Sequence, residues 1–133
     1  MKLTYRGEYA LLALVYLARN DSDSCISVET IAHNQGIPPK FLEHILLTLK
    51  RAKYLKSTKG QHGGYRLAKP ANKITLAEII RLIDGALAPT ESVSINFYEP
   101  TPIEKEQNLV IVFKEIRDYI SNKLENTSIQ DVC

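Results

Sequence analysis

Residues 27–51 run SVETIAHNQGIPPKFLEHILLTLKR, a stretch that carries two helix starts and one helix stop. Ser27 is an N-cap residue type, with Thr30 standing where a capping box would place Glu. Val28, Ile31 and Ala32 predict a short helix that ends at Gly36. Ile37 follows, and Pro38-Pro39 suits the start of a further helix, because proline is tolerated in the first turn. Phe41, Leu42, Ile45, Leu46 and Leu49 predict the buried stripe of that helix. Its other side carries Lys40, Glu43, His44, Leu47, Thr48, Lys50 and Arg51. Two helices joined by a short turn containing glycine, the second with a polar and basic outer face, make a helix-turn-helix pattern.

The next stretch extends the pattern. Tyr54-Leu55-Lys56-Ser57 and Tyr65-Arg66-Leu67-Ala68 predict two short strands flanking Lys59-Gly60-Gln61-His62-Gly63-Gly64. The glycines permit a tight hairpin tip. Bare backbone at Gly63 and Gly64, with Lys59 beside it, would let that tip approach phosphates or enter a minor groove. A helix-turn-helix followed by such a hairpin is a winged helix, in which the second helix lies in the major groove and its side chains reach base edges.

Upstream, residues 3–19 predict a helix, with Leu11, Leu12, Leu14, Val15, Leu17 and Ala18 covering one side. Thr4 and Arg6 at its start are placed to hold a phosphate together with the free helix amides. Downstream, Thr75 and Glu78 form a capping-box pair at the head of a helix ending near Asp84, with Ile79, Ile80, Leu82 and Ile83 expected inside. Residues 86–105, with Pro89, Pro100 and Pro102, show no periodicity, and a long irregular stretch in a compact domain is often functional. Leu109, Phe113, Ile116, Ile120 and Leu124 then form a near-heptad stripe on a helix over 104–125, which calls for a partner, here expected to be a second copy of the chain. The expected fold is mainly α with a small β-hairpin wing (α+β). It divides into a winged helix-turn-helix over 1–85, an effector or partner loop over 86–105, and a dimerisation helix with tail over 106–133.

Composition sets the outer bounds. With 133 residues, 44% of them hydrophobic and 24% charged, the chain has the make-up of a globular protein with its own core. The apolar run Leu11–Ala18 is far shorter than the roughly 20 residues that cross a bilayer, and no small-residue cleavage site follows it. The net charge of +2 hides an asymmetry, since residues 1–85 hold 13 Lys/Arg against 7 Asp/Glu and residues 86–133 hold 4 against 8. The segment 40–73 alone carries nine cations and one acid, Glu43. That excess is an electrostatic footprint for a polyanion. An anionic membrane is the poorer match, because the segment lacks the apolar stripe of an interfacial helix. No G-x-S-x-G, P-loop, H-E-x-x-H or G-x-G-x-x-G occurs, so no enzyme is expected. Cys25 and Cys133 are too far apart in sequence for a metal-ligand pair, and a cytoplasmic chain with reduced thiols is expected.

Three segments taken together, MKLTYRGEYA at 1–10, GIPPKFLEH at 36–44 and KGQHGGY at 59–65, resemble the Rrf-two family of bacterial winged-helix repressors. The resemblance runs from Met1 to about Leu124. It implies a homodimer joined through the long C-terminal helices and bound to palindromic double-stranded promoter DNA. It also implies that Pro38, Lys40, Glu43 and His44 read bases while Lys59 is the basic residue of the wing tip. The chemistry agrees, since a carboxylate such as that of Glu43 can accept from cytosine N4 and its helical neighbours Pro39 and Leu47 offer no cation. Thr48, Lys50 and Arg51 are expected on the DNA backbone, and Gly60, His62 and Tyr65 complete the wing.

Many members of the family hold an iron–sulfur cluster on three cysteines in the loop before the long helix. Residues 86–108 of this chain contain no cysteine, so no cofactor is expected. The cysteine-free branch senses through a small molecule, a partner protein or thiol oxidation. Cys25, beside the second helix, is the residue for the last of these, although Asp21 and Asp23 nearby disfavour a thiolate. A winged helix that docks its basic strip on an acidic protein partner is the alternative from another class.

Overall fold

The computed structural model describes residues 1–133. In chain order the helices and strands are α1 (Tyr5–Arg19), α2 (Val28–Gln35), α3 (Pro39–Arg51), β1 (Leu55–Thr58), β2 (Gly64–Leu67), α4 (Leu76–Asp84), α5 (Gln107–Glu125) and α6 (Ile129–Val132). Short 3-10 turns stand at Ala71–Lys73, Glu91–Val93 and Pro102–Lys105. The predicted fold class is the observed one, six helices with one two-stranded antiparallel hairpin.

The helix-turn-helix forms for the reasons its sequence states. Ser27 caps α2 by accepting from the Thr30 amide at 3.1 Å, and its hydroxyl donates to Thr30 Oγ1 at 2.8 Å, so the cap forms without the reciprocal bond to the Ser27 amide that a Glu would make. Gly36, at φ 65°, ends α2 and Pro39 opens α3. Leu42, Ile45, Leu46 and Leu49 are buried together with Leu14, Leu17, Ile31 and Ile37 in the main core. Phe41 departs from the predicted stripe and is 60% exposed. At 3.6 residues per turn the four buried positions span an arc of about 100°, and Phe41 lies about 40° past its edge.

The same angular reasoning corrects two other helices. The inner side of α1 consists of Gly7, Ala10 and Ala13, small residues that let other helices pack close, with Leu14 and Leu17, while Leu12 faces away and is exposed. In α4 the buried residues are Ala77, Ile79 and Ile80, and Leu82 is exposed on the far side.

The chain end is not a separate unit after position 106. Ile129 of α6 is fully buried in the main core, and its amide donates to the Ile74 carbonyl at 2.8 Å. Burying one such side chain is worth about 2 kcal/mol, so the last residues stabilise the winged domain itself. The 86–105 stretch is also packed rather than free, because Leu87 rests on Ala77 and Ile80 while Ala88 and Val93 rest on Val110.

The hairpin pairs Leu55 with Leu67 and Thr58 with Gly64. Its base is tied to the helix-turn-helix by a contact the sequence does not announce. Ile26 and Tyr65 exchange two backbone hydrogen bonds of 2.8 Å, so the residue before Ser27 acts as a one-residue third strand. Gly64 makes this approach possible, since a Cβ built there would overlap the Ile26 carbonyl. Gly64→Ala is therefore expected to lower stability by about 3 kcal/mol, which urea unfolding measures. An unchanged midpoint would show that the wing base is not held as described.

Candidate nucleic-acid interface

α3 presents its outer face to solvent. Pro38, Lys40, Glu43 and His44 are all exposed around its first turns, and Lys50 and Arg51 are exposed at its end. Phe41, freed from the core, stands among them. Thr48 is half-buried and its hydroxyl donates to the His44 carbonyl at 2.9 Å, so only its lone pairs face outward. The wing tip carries Lys59, Gly60 and His62 in the open, with Gly60 left-handed at φ 103°.

The other wing residues fall differently from expectation. Gly63 and Gly64 are not bare backbone reserved for a ligand. A side chain on Gly63 would overlap the Thr58 carbonyl, and one on Gly64 the Ile26 carbonyl, so their own hairpin accounts for both. Tyr65 lies at the base of the wing, packed on the core and paired with Ile26, away from the tip.

Below the wing a polar network joins it to α4. Glu78 accepts from the Thr75 amide (2.8 Å), the Thr75 hydroxyl (3.1 Å) and the Tyr54 hydroxyl (3.2 Å). Lys69 lies 5.0 Å from the centre of the Tyr54 ring. Burial pushes the Glu78 carboxyl up, but the Thr75 and Tyr54 hydrogen bonds and nearby Lys69 together hold it below the usual carboxylate range. Burial and the Glu78 charge push the Tyr54 phenol up.

The charge balance of this face is its most informative property. Of the nine cations in 40–73, Arg66 lies 4.0 Å from Asp23 and Lys69 sits over Tyr54. Lys40, Lys50, Arg51, Lys53, Lys56, Lys59 and Lys73 make no ion pair at all, nor does Glu43. Seven unneutralised cations on one helix, one hairpin and the turn that follows keep a strongly positive potential.

At the start of α1 the predicted phosphate seat is already filled. Asp84, at the end of α4, accepts from the Thr4 amide at 3.0 Å and from the Thr4 hydroxyl, which in turn caps the Gly7 amide. The Thr4 donors are thus committed to a carboxylate, which also meets the positive end of the helix dipole. Arg6 remains exposed and unpaired.

On α5 the predicted stripe divides. Phe113, Ile120 and Leu124 pack partly on their own chain, while Leu109 and Ile116 are exposed. The free apolar face is Leu109, Val112, Ile116 and Tyr119, turned about 100° from the inward face at 3.6 residues per turn. The 86–105 stretch borders an open hollow of about 820 Å3 whose lining includes Asp84, Glu91, Tyr98 and Glu99. Cys25 is half-buried beside the wing, in a hollow shared with Asp23, His62 and Arg66.

The donor set does not suit an iron–sulfur cluster. No thiol occurs in 86–108, and nowhere do three His, Cys, Asp or Glu side chains come together as metal ligands. No helix is long and apolar enough to cross a membrane.

A recognition helix followed by a wing, both carrying exposed cations without ion pairs, define a winged-helix DNA-binding protein. The comparisons with known proteins agree. The Rrf2 family model, described as an iron-dependent transcriptional regulator, matches residues 3–133. An HTH-type transcriptional regulator of Mycobacterium tuberculosis is 34% identical over 136 residues, spanning 100% of this chain and 81% of the relative. CymR of Bacillus subtilis, the global cysteine regulator, is 28% identical over 133 residues, spanning 100% of this chain and 90% of CymR. Its solved structure superimposes with a TM-score of 0.80 at 27% identity, over 99% of this chain and 95% of that one. IscR of T. potens superimposes at 0.75 with 25% identity, over 99% and 85% of the two chains. The chain belongs to the Rrf2 family of transcriptional regulators.

The Glu78 network gives a test of how the wing is supported. A carboxyl held below its ordinary value of 4.5 adds stability that is complete above that value and is lost as the pH falls through the lower folded value. Glu78→Gln is therefore expected to melt below the parent at pH 7, with the gap closing as the pH drops under 4.5. Thermal melts between pH 7 and 3 check this, and a gap that stays constant would contradict it.

Proposed function

We propose that this chain is a homodimeric repressor that binds a pseudo-palindromic promoter site, with α3 in the major groove and the wing tip against the adjacent minor groove. The observation that carries the reading is the seven unpaired cations on α3, the wing and the turn beyond it, around a single acid that is itself unpaired. Pro38, Lys40, Glu43 and His44 read base edges, and Phe41 offers an apolar contact to a thymine methyl group. Arg6, Lys50 and Arg51 hold backbone phosphates, which Thr48 cannot do while its hydroxyl donates to His44, and Lys59 with His62 enters the minor groove. Glu43, exposed beside Lys40 and His44 and without an ion pair, is placed to accept from cytosine N4.

The exposed Leu109, Val112, Ile116 and Tyr119 face supports the dimer, which would set two recognition helices about one DNA turn apart or a multiple of it. The regulator works in the cytoplasm with no catalytic step and no resident cluster. The stretch over 86–105, which packs on α5 and borders the acidic hollow, is where an effector or partner shifts the dimer geometry.

Selection from a pool of random-sequence duplexes is expected to return a pseudo-palindrome. On that site Glu43→Ala should lose about 1–3 kcal/mol of discrimination at one base pair per half-site while keeping its affinity for random DNA. Lys59→Ala should weaken binding to all sequences alike and lower the salt slope by about 1 per protomer. An unaltered sequence preference in Glu43→Ala would overturn the base-reading assignment. Val112→Glu with Ile116→Glu is expected to sediment as a folded monomer, whereas a double variant that sediments like the parent would remove α5 from the dimer contact.

A further inference from the structure

We infer that Lys53, at the turn from α3 into β1, is a DNA-phosphate ligand that carries the interface beyond the end of the recognition helix. The inference rests on the regulator reading above and deepens it.

Lys53 is the one non-glycine residue with a left-handed backbone, at φ 71°. It closes α3 in a Schellman arrangement, in which its amide donates to the Lys50 carbonyl at 2.9 Å and the Tyr54 amide donates to the Leu49 carbonyl at 2.9 Å. Glycine is the residue this position favours, because a side chain crowds the backbone there. Backbone conformation therefore gives no reason for a lysine.

The surroundings supply one. Lys50, Lys53 and Lys56 line a single hollow of about 480 Å3 together with Leu55, Ser57 and Ala68. None of the three lysines has an acidic partner. Three like charges around one hollow repel each other in the free protein, and a bound anion reverses that repulsion. The helix dipole does not account for the third charge, since Lys50 and Arg51 already occupy the last turn of α3. Lys50 belongs to the last turn of the recognition helix and Lys56 to the first strand of the wing, so the hollow lies where the end of that helix meets the base of the wing. The anion that passes there is a phosphate of the duplex backbone, held by ammonium groups and the Ser57 hydroxyl.

The test uses the full chain, the selected pseudo-palindromic duplex and fluorescence anisotropy between 50 mM and 300 mM salt, concentrations of about the range over which phosphate contacts are resolved. Lys53→Gln and Lys53→Gly are each expected to weaken binding about tenfold at low salt and to lower the log–log salt slope by about 2 for the dimer. Lys53→Arg should bind like the parent. Lys53→Gly relieves the left-handed strain and should melt no lower than the parent, so its loss of binding is not a loss of fold. Parental affinity and slope in Lys53→Gln and Lys53→Gly, with a parent that binds its site, would overturn this inference alone. A parent that selects no site would overturn the regulator reading and this inference with it.

Discussion

The two backbone hydrogen bonds between Ile26 and Tyr65 fix how the wing stands against the helix-turn-helix. A lone two-stranded hairpin is marginal in water, and this one has only four residues in each strand. Pairing β2 with the residue ahead of α2 gives the hairpin a third edge and sets its direction relative to α3. Gly64 is what allows the two backbones to come so near. The Tyr54–Glu78–Thr75 network adds a second attachment on the opposite side, from β1's entry to the head of α4. Between these two attachments the wing has one direction relative to α3, which fixes how the cations of the two elements are arranged.

That arrangement turns a count of charges into a binding surface. An excess of lysine spread over a sphere would be neutralised by neighbouring acids or by solvent. Here the acids lie elsewhere: Asp84 serves the start of α1, Glu78 the start of α4, and Glu125 pairs with Arg81. Glu43 is left alone on the recognition helix, where a carboxylate in a positive field discriminates among partners more than it adds affinity. The same face explains why Lys53 is retained at a position that favours glycine.

Much of this was legible in the sequence. The cap at Ser27, the Gly36 stop and the Pro39 start define two helices through local chemistry, and local chemistry is what a sequence states directly. The charge segment 40–73 was visible for the same reason. Contacts between distant residues were not legible. Nothing near Ile26 announces a strand, because a single bridge has no periodicity. Nothing near Thr4 announces Asp84, which lies far along the chain and accepts from its amide. Phe41 lies just off the inward arc of α3, and Leu12 and Leu82 lie on the outer sides of helices whose apolar residues run nearly all round, where apolar spacing cannot place the boundary. The apolar stripe on α5 straddles two faces, since residues that touch their own chain and residues that await a partner share the same apolar character. Ile129 reached the core through a turn at Asn126–Ser128 that carries no apolar signal.

The proposed binding mode sets α3 in the major groove and the wing tip in the neighbouring minor groove. Methylation interference tests it most directly, because dimethyl sulfate marks guanine N7 in the major groove and adenine N3 in the minor groove. On a bound pseudo-palindrome the account predicts interference at guanine N7 within each half-site, with adenine N3 interference beside it and the whole pattern related by a two-fold axis. Interference confined to one groove, or none at a site the protein occupies, would contradict that binding mode.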